Sequence, residues 1–374
     1  EEYTEKLLSN MLGLDSGIKF KLFYNGYKKV KLSHDWLNLP NVELVEFRIP
    51  NRALDISSKL AGFPKIDRLL CGIDVMFSPH IFLSSLSPKC RSVVTFHDLS
   101  FEKYPEFYSK VKSYWHLSMD PKKQARRANR IITVSQSTKN DLISLYDIDP
   151  KKIKVIYSGI EQESRIKNQE SRVEDKKTKL LEVKKKYNLP EKYILYLGTL
   201  EPRKNIVGLI KAFELFKNRE TKTNKLPATS YKLIIAGGKG WLYKKIFDTI
   251  EKSGYKEDII LTGFINENDK RYIYELADLF VYPSFYEGFG FPPLEAMSYG
   301  VPTITSNVSS LPEAVGDSAI MIDPYDHDEL ANAIENVLCD RKLRDILIAK
   351  GRKRIKKFSW QNCARETLET LTSV

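Results

Sequence analysis

Two carboxylates eight positions apart mark the segment that carries most chemical information. Glu287 and Glu295 flank Gly288-Phe289-Gly290-Phe291-Pro-Pro-Leu, which follows a predicted strand and opens a predicted short helix. Glycines allow a backbone to approach a ligand closely, and prolines suit a first helical turn. The N–H groups at such a helix start favour an anion such as a diphosphate. Because carboxylates repel phosphate, we expect both to accept hydrogen bonds from sugar hydroxyls. The alternative is a helix-capping Glu295 beside a turn without a ligand.

A second segment places cations at a strand end. Gly198 and Thr199 end a predicted strand, and Arg203 and Lys204 stand where the next helix begins. Cations at a helix N-terminus oppose its dipole, so folding alone does not explain them. Pairing with phosphate does, because charge-assisted hydrogen bonds to phosphate are strong. A solvated basic turn is the alternative.

Two polar residues end predicted strands in the first half of the chain. His97 follows the run Val93-Val-Thr-Phe96, and Ser135 follows Thr133-Val134. A histidine at a strand end is often only a packed or capping residue. Its place at the ligand-binding edge of a parallel sheet makes it a candidate for chemistry.

The composition restricts the class of protein. The chain has 374 residues, a formal net charge of +12 and four cysteines without a Cys-x-x-Cys pair, so a disulfide scaffold and a thiolate zinc site are not expected. No apolar run reaches the roughly 18 residues of a membrane span, and we expect a cytoplasmic protein. The chain begins without Met, which indicates a fragment or a processed chain.

Residues 1–160 carry 25 Lys and Arg against 17 Asp and Glu, so they hold most of the excess charge. The densest cluster, Lys122–Arg130, is predicted to line one helix face. A solvated face and contact with anionic lipid or a lipid-linked phosphate both remain open. We expect no nucleic-acid partner, because no binding motif accompanies the cluster.

Short apolar runs alternate with amphipathic stretches along the chain, which predicts an α/β fold with parallel sheets. A charged joint, residues 161–186, separates two series and suggests two Rossmann-like domains with a cleft between them. The predicted strands are 18–24, 42–47, 73–77, 92–96, 130–134 and 154–157, then 193–197, 232–236, 259–262, 279–282, 302–305 and 319–322.

These segments together resemble the retaining glycosyltransferases of family four. The Glu287-to-Glu295 spacing looks like the family's E-x7-E signature, and the run from Gly198 to Lys204 resembles its phosphate-binding turn. Further landmarks occur in the family's order: Phe96-His97-Asp98-Leu99, Val134-Ser135, Tyr157-Ser158-Gly159, Thr262-Gly263-Phe264 and Phe358-Ser359-Trp360.

The resemblance implies the GT-B fold, with two Rossmann-like domains whose parallel sheets face each other across a cleft. Residues 1–160 would bind the acceptor and residues 161–355 the nucleotide sugar. Residues 356–374 would form a helix that crosses back to the first domain. Members usually begin with a strand and a Gly-rich loop, whereas residues 2–12 here already predict the first helix. That strand and loop are either absent or lie outside residues 1–374.

The resemblance also implies a role for each candidate residue. Arg203 and Lys204 would neutralise the diphosphate, and Glu295 would hold the ribose. Glu287, with the backbone of Gly288, Phe289, Gly290 and Phe291, would hold the transferred sugar, which His97 would contact near its reacting carbon. Phe264 and Ile265 would frame the base, Gly198 and Thr199 belong to the phosphate turn, Ser135 would line the cleft, and Gly159 would sit at the joint between the domains.

The implied reaction transfers a hexose, first choice mannose from GDP-mannose, to a saccharide or lipid-linked acceptor in surface polysaccharide synthesis. The members that the phosphate turn resembles most are bacterial mannosyltransferases. UDP-glucose or UDP-N-acetylglucosamine donors, an epimerase and a non-catalytic sugar-nucleotide binder are the alternatives. We expect no cofactor and no metal: Asp147-Ile-Asp149 and Asp326-His-Asp328 mimic a metal motif, but each precedes a predicted helix, so capping explains them.

Overall fold

The computed structural model describes residues 2–14, 17–26, 33–82, 85–161, 173–223 and 231–374, with the backbone alone for residues 173–175 and 220–223. These residues form two compact units. The first comprises Glu1–Leu99, Val111–Gly159 and Ser359–Val374, and the second comprises Ser100–Lys110 and Ile160–Phe358. The segment Ser100–Lys110 therefore groups with the second unit, whereas the sequence predicted one domain over residues 1–160.

The first unit alternates strands with helices. Its strands are β1 (Phe20–Asn25), β2 (Val42–Phe47), β3 (Val75–Ser78), β4 (Arg91–Phe96), β5 (Arg130–Thr133) and β6 (Ile153–Val155). Its helices are α1 (Glu2–Met11), α2 (Asn51–Leu60), α3 (Ile66–Leu69), α5 (Lys110–Ser118), α6 (Pro121–Arg127), α7 (Gln136–Tyr146) and α16 (Trp360–Thr372), and α4 (Ser100–Lys103) leads into the second unit.

The strands of the first unit form two parallel sheets rather than one. Strands β3-β4-β5-β6 lie in chain order in the larger sheet, and β1-β2 form a separate pair. One apolar cluster around Leu54, Ile66 and Leu70 joins them, since side chains of β1, β2 and β3 all pack against it. Lys21 in β1 also donates a hydrogen bond to the Leu70 carbonyl at 2.7 Å. Because β4 and β5 are paired neighbours, His97 and Ser135 follow adjacent strand ends.

The second unit holds the remaining strands and helices. Its strands are β7 (Lys192–Leu197), β8 (Tyr231–Ala236), β9 (Ile259–Gly263), β10 (Leu279–Tyr282), β11 (Thr303–Ser306) and β12 (Ile320–Ile322). Its helices are α8 (Val173–Lys186), α9 (Ile206–Thr223), α10 (Lys244–Lys252), α11 (Glu267–Glu275), α12 (Phe291–Ser298), α13 (Leu311–Val315), α14 (His327–Cys339) and α15 (Arg341–Arg354).

The strand order of the second unit locates its binding edge. The parallel sheet runs β12-β11-β10-β7-β8-β9, so its first strand, β7, pairs with both its second strand and its fourth. This is the order of a doubly wound nucleotide-binding sheet, in which the chain switches direction between the first and fourth strands. Ligands bind such sheets beyond the carboxyl ends of those two strands. The segments after β7 and β10 are the two that the sequence singled out.

A continuous core holds this sheet in place. Helix α9 packs one apolar face against the sheet, because Ile206, Leu209, Ile210 and Phe213 are all buried in the core. The four central residues of strand β7, Tyr193-Ile-Leu-Tyr196, are fully buried, as expected for a central strand covered by helices on both faces.

All twelve predicted strands are present, with ends shifted by at most two residues. Two other expectations need correction. Arg130 begins β5 rather than continuing α6, so Lys122–Arg130 does not form one helix face. Asp147 is the C-cap of α7 in a left-handed conformation (φ 57°) and does not start a helix. Of the charged joint, residues 173–186 form α8, and residues 162–172 lie outside the described residues.

Helix α16 packs against α1 in the first unit. It begins at Ser359, whose hydroxyl accepts a hydrogen bond from the Asn362 N–H at 3.4 Å. The chain passes close to this helix start at Gly159, where a Cβ atom would lie only 2.2 Å from the Trp360 backbone nitrogen. Among the described residues, no helix is long and apolar enough to cross a membrane.

We predict that Gly159→Ala loosens α16. The added methyl group has no room beside Trp360, and overpacking of this kind costs about 1–3 kcal/mol. Thermal unfolding should shift downward, and amides of α16 should exchange faster with solvent. Gly13→Ala is the matched control, because a Cβ at Gly13 meets nothing within 4 Å. Equal unfolding temperatures for the two variants would contradict the packing argument.

Candidate active site

A buried ion cluster lies at the switch point of the second sheet. Lys204 follows β7 through the short 3-10 turn Pro202–Lys204, and Glu287 follows β10. The Lys204 Nζ donates to Glu287 Oε1 and to the Tyr282 hydroxyl, both at 2.6 Å. Arg203 donates to Glu287 Oε2 at 3.1 Å. One carboxylate thus holds two cations from a segment more than 80 residues earlier in the chain.

Arg203 is itself shared between two carboxylates. Its guanidinium donates to Glu201 Oε1 at 2.8 and 3.1 Å and to the Tyr286 carbonyl at 2.7 Å. Glu201 is only 2% exposed. The sequence segment containing Glu201 was singled out for its cations alone, so this counter-charge was missed. Its position two residues before Arg203 is the signal that could have identified it.

Burial and pairing with an opposite charge shift the pKa values of these groups in opposite directions. Burial alone would raise the pKa of Glu287, but the charges of Lys204 and Arg203 outweigh it and hold the pKa at about 2. Burial lowers the pKa of Lys204, helped by the neighbouring Arg203 charge and opposed by Glu287. Burial raises the pKa of Glu201. Glu287 is therefore a carboxylate at neutral pH, and its charge keeps two buried cations in place.

The backbone of the Glu287 turn is fixed from two sides. The Glu287 N–H donates to the Ser309 hydroxyl, and the Ser310 hydroxyl donates to the Glu287 carbonyl, both at 2.9 Å. The Phe285 N–H donates to the Arg203 carbonyl at 2.9 Å, which ties the two segments together directly. Serines of the segment between β11 and α13 were not predicted as site residues, since isolated serines carry no signal in a single sequence.

The segment Ser100–Lys110 packs aromatic rings against this turn. Phe107 stacks on Phe285 with ring centroids 5.3 Å apart, and Tyr104 contacts Tyr286 at 5.8 Å. Trp241 stacks on Tyr108 at 5.5 Å and donates to the Phe107 carbonyl at 2.5 Å. The rings therefore cover the two residues directly before Glu287, which limits the movement of that carboxylate.

Helix α12 begins four residues after Glu287, with the Gly- and Pro-containing start that the sequence predicts. Gly290 is its N-cap, with φ 106°, a conformation that favours glycine; a Cβ there would lie 3.0 Å from Leu311. Pro292 and Pro293 lie in its first turn, and no side chain caps the helix at Gly290. Gly288 and Phe289 are buried, and Phe291 is half-buried. Because Pro292 and Pro293 carry no N–H, this helix start would attract an anion through its dipole and through the N–H groups that precede Pro292.

The second carboxylate, Glu295, lies half-buried in α12 and is also paired. Its Oε1 accepts from Lys270 Nζ at 2.6 Å, and its Oε2 accepts from the Tyr274 hydroxyl at 2.9 Å. Both partners come from one face of α11, four residues apart. Since a carboxylate offers about four acceptor positions, Glu295 keeps capacity for ribose hydroxyls. Lys270 and Tyr274 were missed, although their spacing places them on one helix face.

The remaining candidates of the second unit differ in accessibility. Phe264 follows β9 and is 78% exposed, whereas the side chain of Ile265 is buried in the core, so only its backbone could meet a base. Gly198 packs closely against Gly237. A Cβ atom added at Gly237 would lie 1.9 Å from the Gly198 carbonyl oxygen. Thr199 accepts a hydrogen bond at its carbonyl from the Tyr196 hydroxyl at 3.2 Å.

In the first unit, His97 is half-buried and neutral. Its Nε2 lies 2.9 Å from the Pro79 carbonyl, so this nitrogen carries the proton, and its ring contacts Tyr3 edge-on at 4.6 Å. Burial lowers the pKa of His97, and the Pro79 hydrogen bond opposes that effect.

The expectation that Ser135 lines a cleft is wrong for its side chain. Ser135 is fully buried as the N-cap of α7, accepting from the Thr138 N–H at 3.1 Å. Its hydroxyl also bonds the Thr138 hydroxyl at 2.9 Å, which donates to the His97 carbonyl at 3.1 Å. Ser135 therefore acts on the position of His97 through Thr138.

The described residues contain no group of three or more His, Cys, Asp or Glu side chains arranged to hold a metal ion. The Asp motifs have structural partners. Asp149 accepts from the Lys151 N–H at 2.8 Å, and Asp326 accepts from the Glu329 N–H at 2.8 Å, so each caps a helical turn. Capping is confirmed for these two aspartates.

We predict that Glu287→Gln lowers the free energy of unfolding by about 3 kcal/mol at pH 7, because it leaves buried cations without their counter-charge. The folded-state pKa of Glu287 lies below the ordinary value of 4.5. The contribution of its charge to the free energy of unfolding is therefore full above pH 4.5 and disappears as the pH falls through about 2. The difference between wild type and variant should therefore shrink at pH 2–3.

Urea unfolding at both pH values measures this difference, with Glu251→Gln as an exposed control. A difference that is equal at pH 7 and at pH 2–3 would show that Glu287 does not contribute through its charge.

Comparison with known proteins identifies the family. Residues 14–164 match the family model "Glycosyltransferase Family 4", and residues 178–354 match "Glycosyl transferases group 1". O-antigen chain mannosyltransferase B of Escherichia coli is 37% identical over 284 residues, covering 74% of this chain and 69% of that protein.

Two further similarities extend this result. The serotype-specific mannosyltransferase WbdA of Escherichia coli is 32% identical over 75% of this chain, but the match spans only 33% of WbdA. The solved structure of sucrose-phosphate synthase from Thermosynechococcus elongatus superposes with a TM-score of 0.71 at 19% identity, covering 100% of this chain and 92% of that one. The chain therefore has the GT-B fold and belongs to the family four glycosyltransferases.

Proposed function

We propose that this glycosyltransferase moves mannose from GDP-mannose to a saccharide or lipid-linked acceptor in cell-surface polysaccharide synthesis. The observation that carries the proposal is the buried cluster of Arg203, Lys204 and Glu287 at the switch point, beside the start of α12. The cluster supplies two fixed cations, and the start of α12 lies next to it. Both are at the edge where a doubly wound sheet binds a nucleotide.

The diphosphate would bind at Arg203, Lys204 and the first turn of α12. These groups stabilise the charge that develops on the leaving phosphate when its bond to the anomeric carbon breaks. They are in place before the donor arrives, so little reorganisation is needed during the reaction. We propose that this arrangement serves in place of a divalent metal and that no cofactor takes part.

The sugar and nucleoside would be oriented by the two carboxylates. Glu295 would accept hydrogen bonds from ribose hydroxyls, and Glu287 would accept from the transferred sugar with the backbone of Gly288 to Phe291. Exposed Phe264 and the backbone of Ile265 would frame the base. Each carboxylate is already held by a cation, which reduces its repulsion of the adjacent phosphates.

The reaction would keep the configuration of the sugar. The acceptor oxygen attacks the anomeric carbon on the face that the phosphate leaves, and the departing diphosphate takes the acceptor proton. The products are the glycoside and a nucleoside diphosphate, and no glycosylated enzyme forms. We propose that His97 takes part in the transfer step through its ring, which the Pro79 carbonyl and Tyr3 hold in one orientation.

Mannose is favoured by the relatives, because both Escherichia coli proteins are named mannosyltransferases. The name of the first, O-antigen chain mannosyltransferase B, also supports an O-antigen-type polysaccharide as the product. For a lipid-linked acceptor, we further propose that the enzyme works at the inner face of the cell membrane and contacts it peripherally near Lys122–Arg130. The exposed side chains Lys122, Lys123, Arg126 and Arg127 of α6 support that contact.

We predict that GDP-mannose raises the unfolding temperature more than UDP-glucose or UDP-N-acetylglucosamine does. A ligand at 100 times its Kd stabilises the folded state by about 2.7 kcal/mol. A thermal-shift panel with these donors, together with product analysis for a glycoside and free GDP, measures this. A larger shift with a UDP sugar would overturn the donor assignment, and an epimerised sugar nucleotide would overturn the transferase assignment.

We predict that Lys204→Met weakens GDP-mannose binding by about 30-fold or more, because truncation of a buried charged partner costs at least about 2 kcal/mol. Calorimetric titration measures the affinity, and circular dichroism checks the fold. Lys211→Ala, on the exposed side of α9, is the control and should bind as the wild type does. Unchanged binding by a folded Lys204→Met protein would place the diphosphate elsewhere.

We predict that His97→Ala lowers kcat by about 100-fold or more while donor binding stays within a factor of two, as expected for a group that acts in the transfer step. Ser135→Ala is an informative comparison, since it removes the hydroxyl that acts on the His97 backbone through Thr138. It should lower kcat less than His97→Ala does. A kcat of His97→Ala near that of the wild type would exclude the proposed role.

A further inference from the structure

Helix α5 in the first unit has an unusual surface. None of its nine residues is buried, and its large apolar side chains face solvent. The exposed fractions are 80% for Val111, 75% for Tyr114, 54% for Trp115 and 70% for Leu117. Val111, Tyr114 and Trp115 share one helix face, because they are spaced by three and four residues. Adjoining exposed apolar side chains of this kind are typical of a surface that binds another molecule or a membrane.

A second exposed apolar group adjoins the helix. Ile56 and Leu60 project from α2, and Phe63 follows it, all three more than half exposed. The ends of the two helices meet, since Lys59 Nζ of α2 donates to the Ser118 carbonyl of α5 at 3.2 Å. We call the exposed residues of α2 and α5, with Phe63, the apolar face.

Positive charge surrounds the apolar face. Residues 51–63 and 110–127 contain eight Lys and Arg against two Asp, a net charge of +6. Helix α6 follows α5 after only two residues, and Lys122, Lys123, Arg126 and Arg127 are all exposed on it. Apolar and aromatic side chains next to Lys and Arg are typical of segments that lie in the interface of an anionic bilayer.

We propose that the apolar face inserts into an anionic lipid bilayer, with α6 lying against the headgroups. Charge complementarity selects this occupant over a second copy of the chain, because two such basic faces would repel each other. The proposal builds on the proposed function only in that a lipid-linked acceptor would be found at such a surface. In this proposal the apolar side chains of α5 and α2 provide most of the attachment to the membrane, and the exposed Lys and Arg side chains of α6 provide a weaker part.

Sedimentation with vesicles tests the proposal without a transferase assay. The wild-type protein should bind vesicles of phosphatidylglycerol and phosphatidylcholine and should bind pure phosphatidylcholine much less. The double variant Val111→Ser with Trp115→Ser should reduce binding to the anionic vesicles by about tenfold or more, since membrane binding scales with the apolar area buried. Leu181→Ser with Ile346→Ser, which removes exposed apolar side chains of α8 and α15, is the matched control and should bind as the wild type does.

Fluorescence quenching locates the contact. Brominated lipid in the anionic vesicles should quench Trp115, and Trp115→Phe should keep most of the binding while losing that quenching. The charge variant Lys122→Gln with Lys123→Gln should weaken binding moderately, whereas Arg341→Gln with Lys342→Gln in α15 should not change it.

Three outcomes would overturn the proposal: no vesicle binding by the wild type, unchanged binding by Val111→Ser with Trp115→Ser, or equal loss in the control variants. A mass in solution that falls from dimer to monomer only in the double variant would show a protein interface instead. Donor binding by calorimetry is independent of all these results. A protein that binds vesicles but no sugar nucleotide would therefore refute the proposed function and leave this inference standing.

Discussion

The second unit depends on one electrostatic constraint, which is that two cations must stay charged at a buried sheet edge before any ligand is present. Removing Lys204 from water disfavours its charged form, and the nearby Arg203 adds repulsion. Glu287 compensates both effects, accepting from Lys204 at 2.6 Å and from Arg203 at 3.1 Å. Because breaking a buried ion pair is much more destabilising than losing an exposed one, the cluster ties the segment after β7 to the segment after β10.

The rest of the site follows from keeping this cluster in position. Ser309 and Ser310 hold the backbone of Glu287, and Glu201 takes part of the Arg203 charge. Rings of the segment Ser100–Lys110 pack on Phe285 and Tyr286, the two residues before Glu287. Such a site has its charges preorganised, which is the condition under which electrostatic stabilisation of a leaving group is largest. A diphosphate that arrives there would meet cations already desolvated and oriented.

Local patterns were sufficient to predict much of the fold. Strand β7 could be found because a short apolar run, here the five residues 193–197 between Lys192 and Gly198, is typical of a central parallel strand. Helix α12 could be found because glycine and proline mark its start. Pairings between distant segments could not be found in this way. Nothing in a single sequence shows that Lys204 meets Glu287, or that Lys270 meets Glu295. Sugar hydroxyls are therefore the partners that the sequence suggests for each carboxylate, and the cation that holds each one becomes visible only in the fold.

Context also explains the expectations that failed. Arg130 continues the basic spacing of α6, but its place at the start of β5 is set by pairing with Val93 of β4. Ser135 stands at a strand end like a binding residue, but an N-capping serine in the same position gives the same sequence pattern. The separate β1-β2 pair could not be foreseen either, since strand order is not encoded in the pattern of an individual strand.

The most direct measurement of the central claim is a crystal structure of the protein with GDP-mannose bound. The account predicts diphosphate oxygens within hydrogen-bonding distance of Arg203 and Lys204, at the first turn of α12, with the ribose hydroxyls on Glu295. A diphosphate bound away from both cations, or a nucleoside that does not reach Glu295, would contradict it.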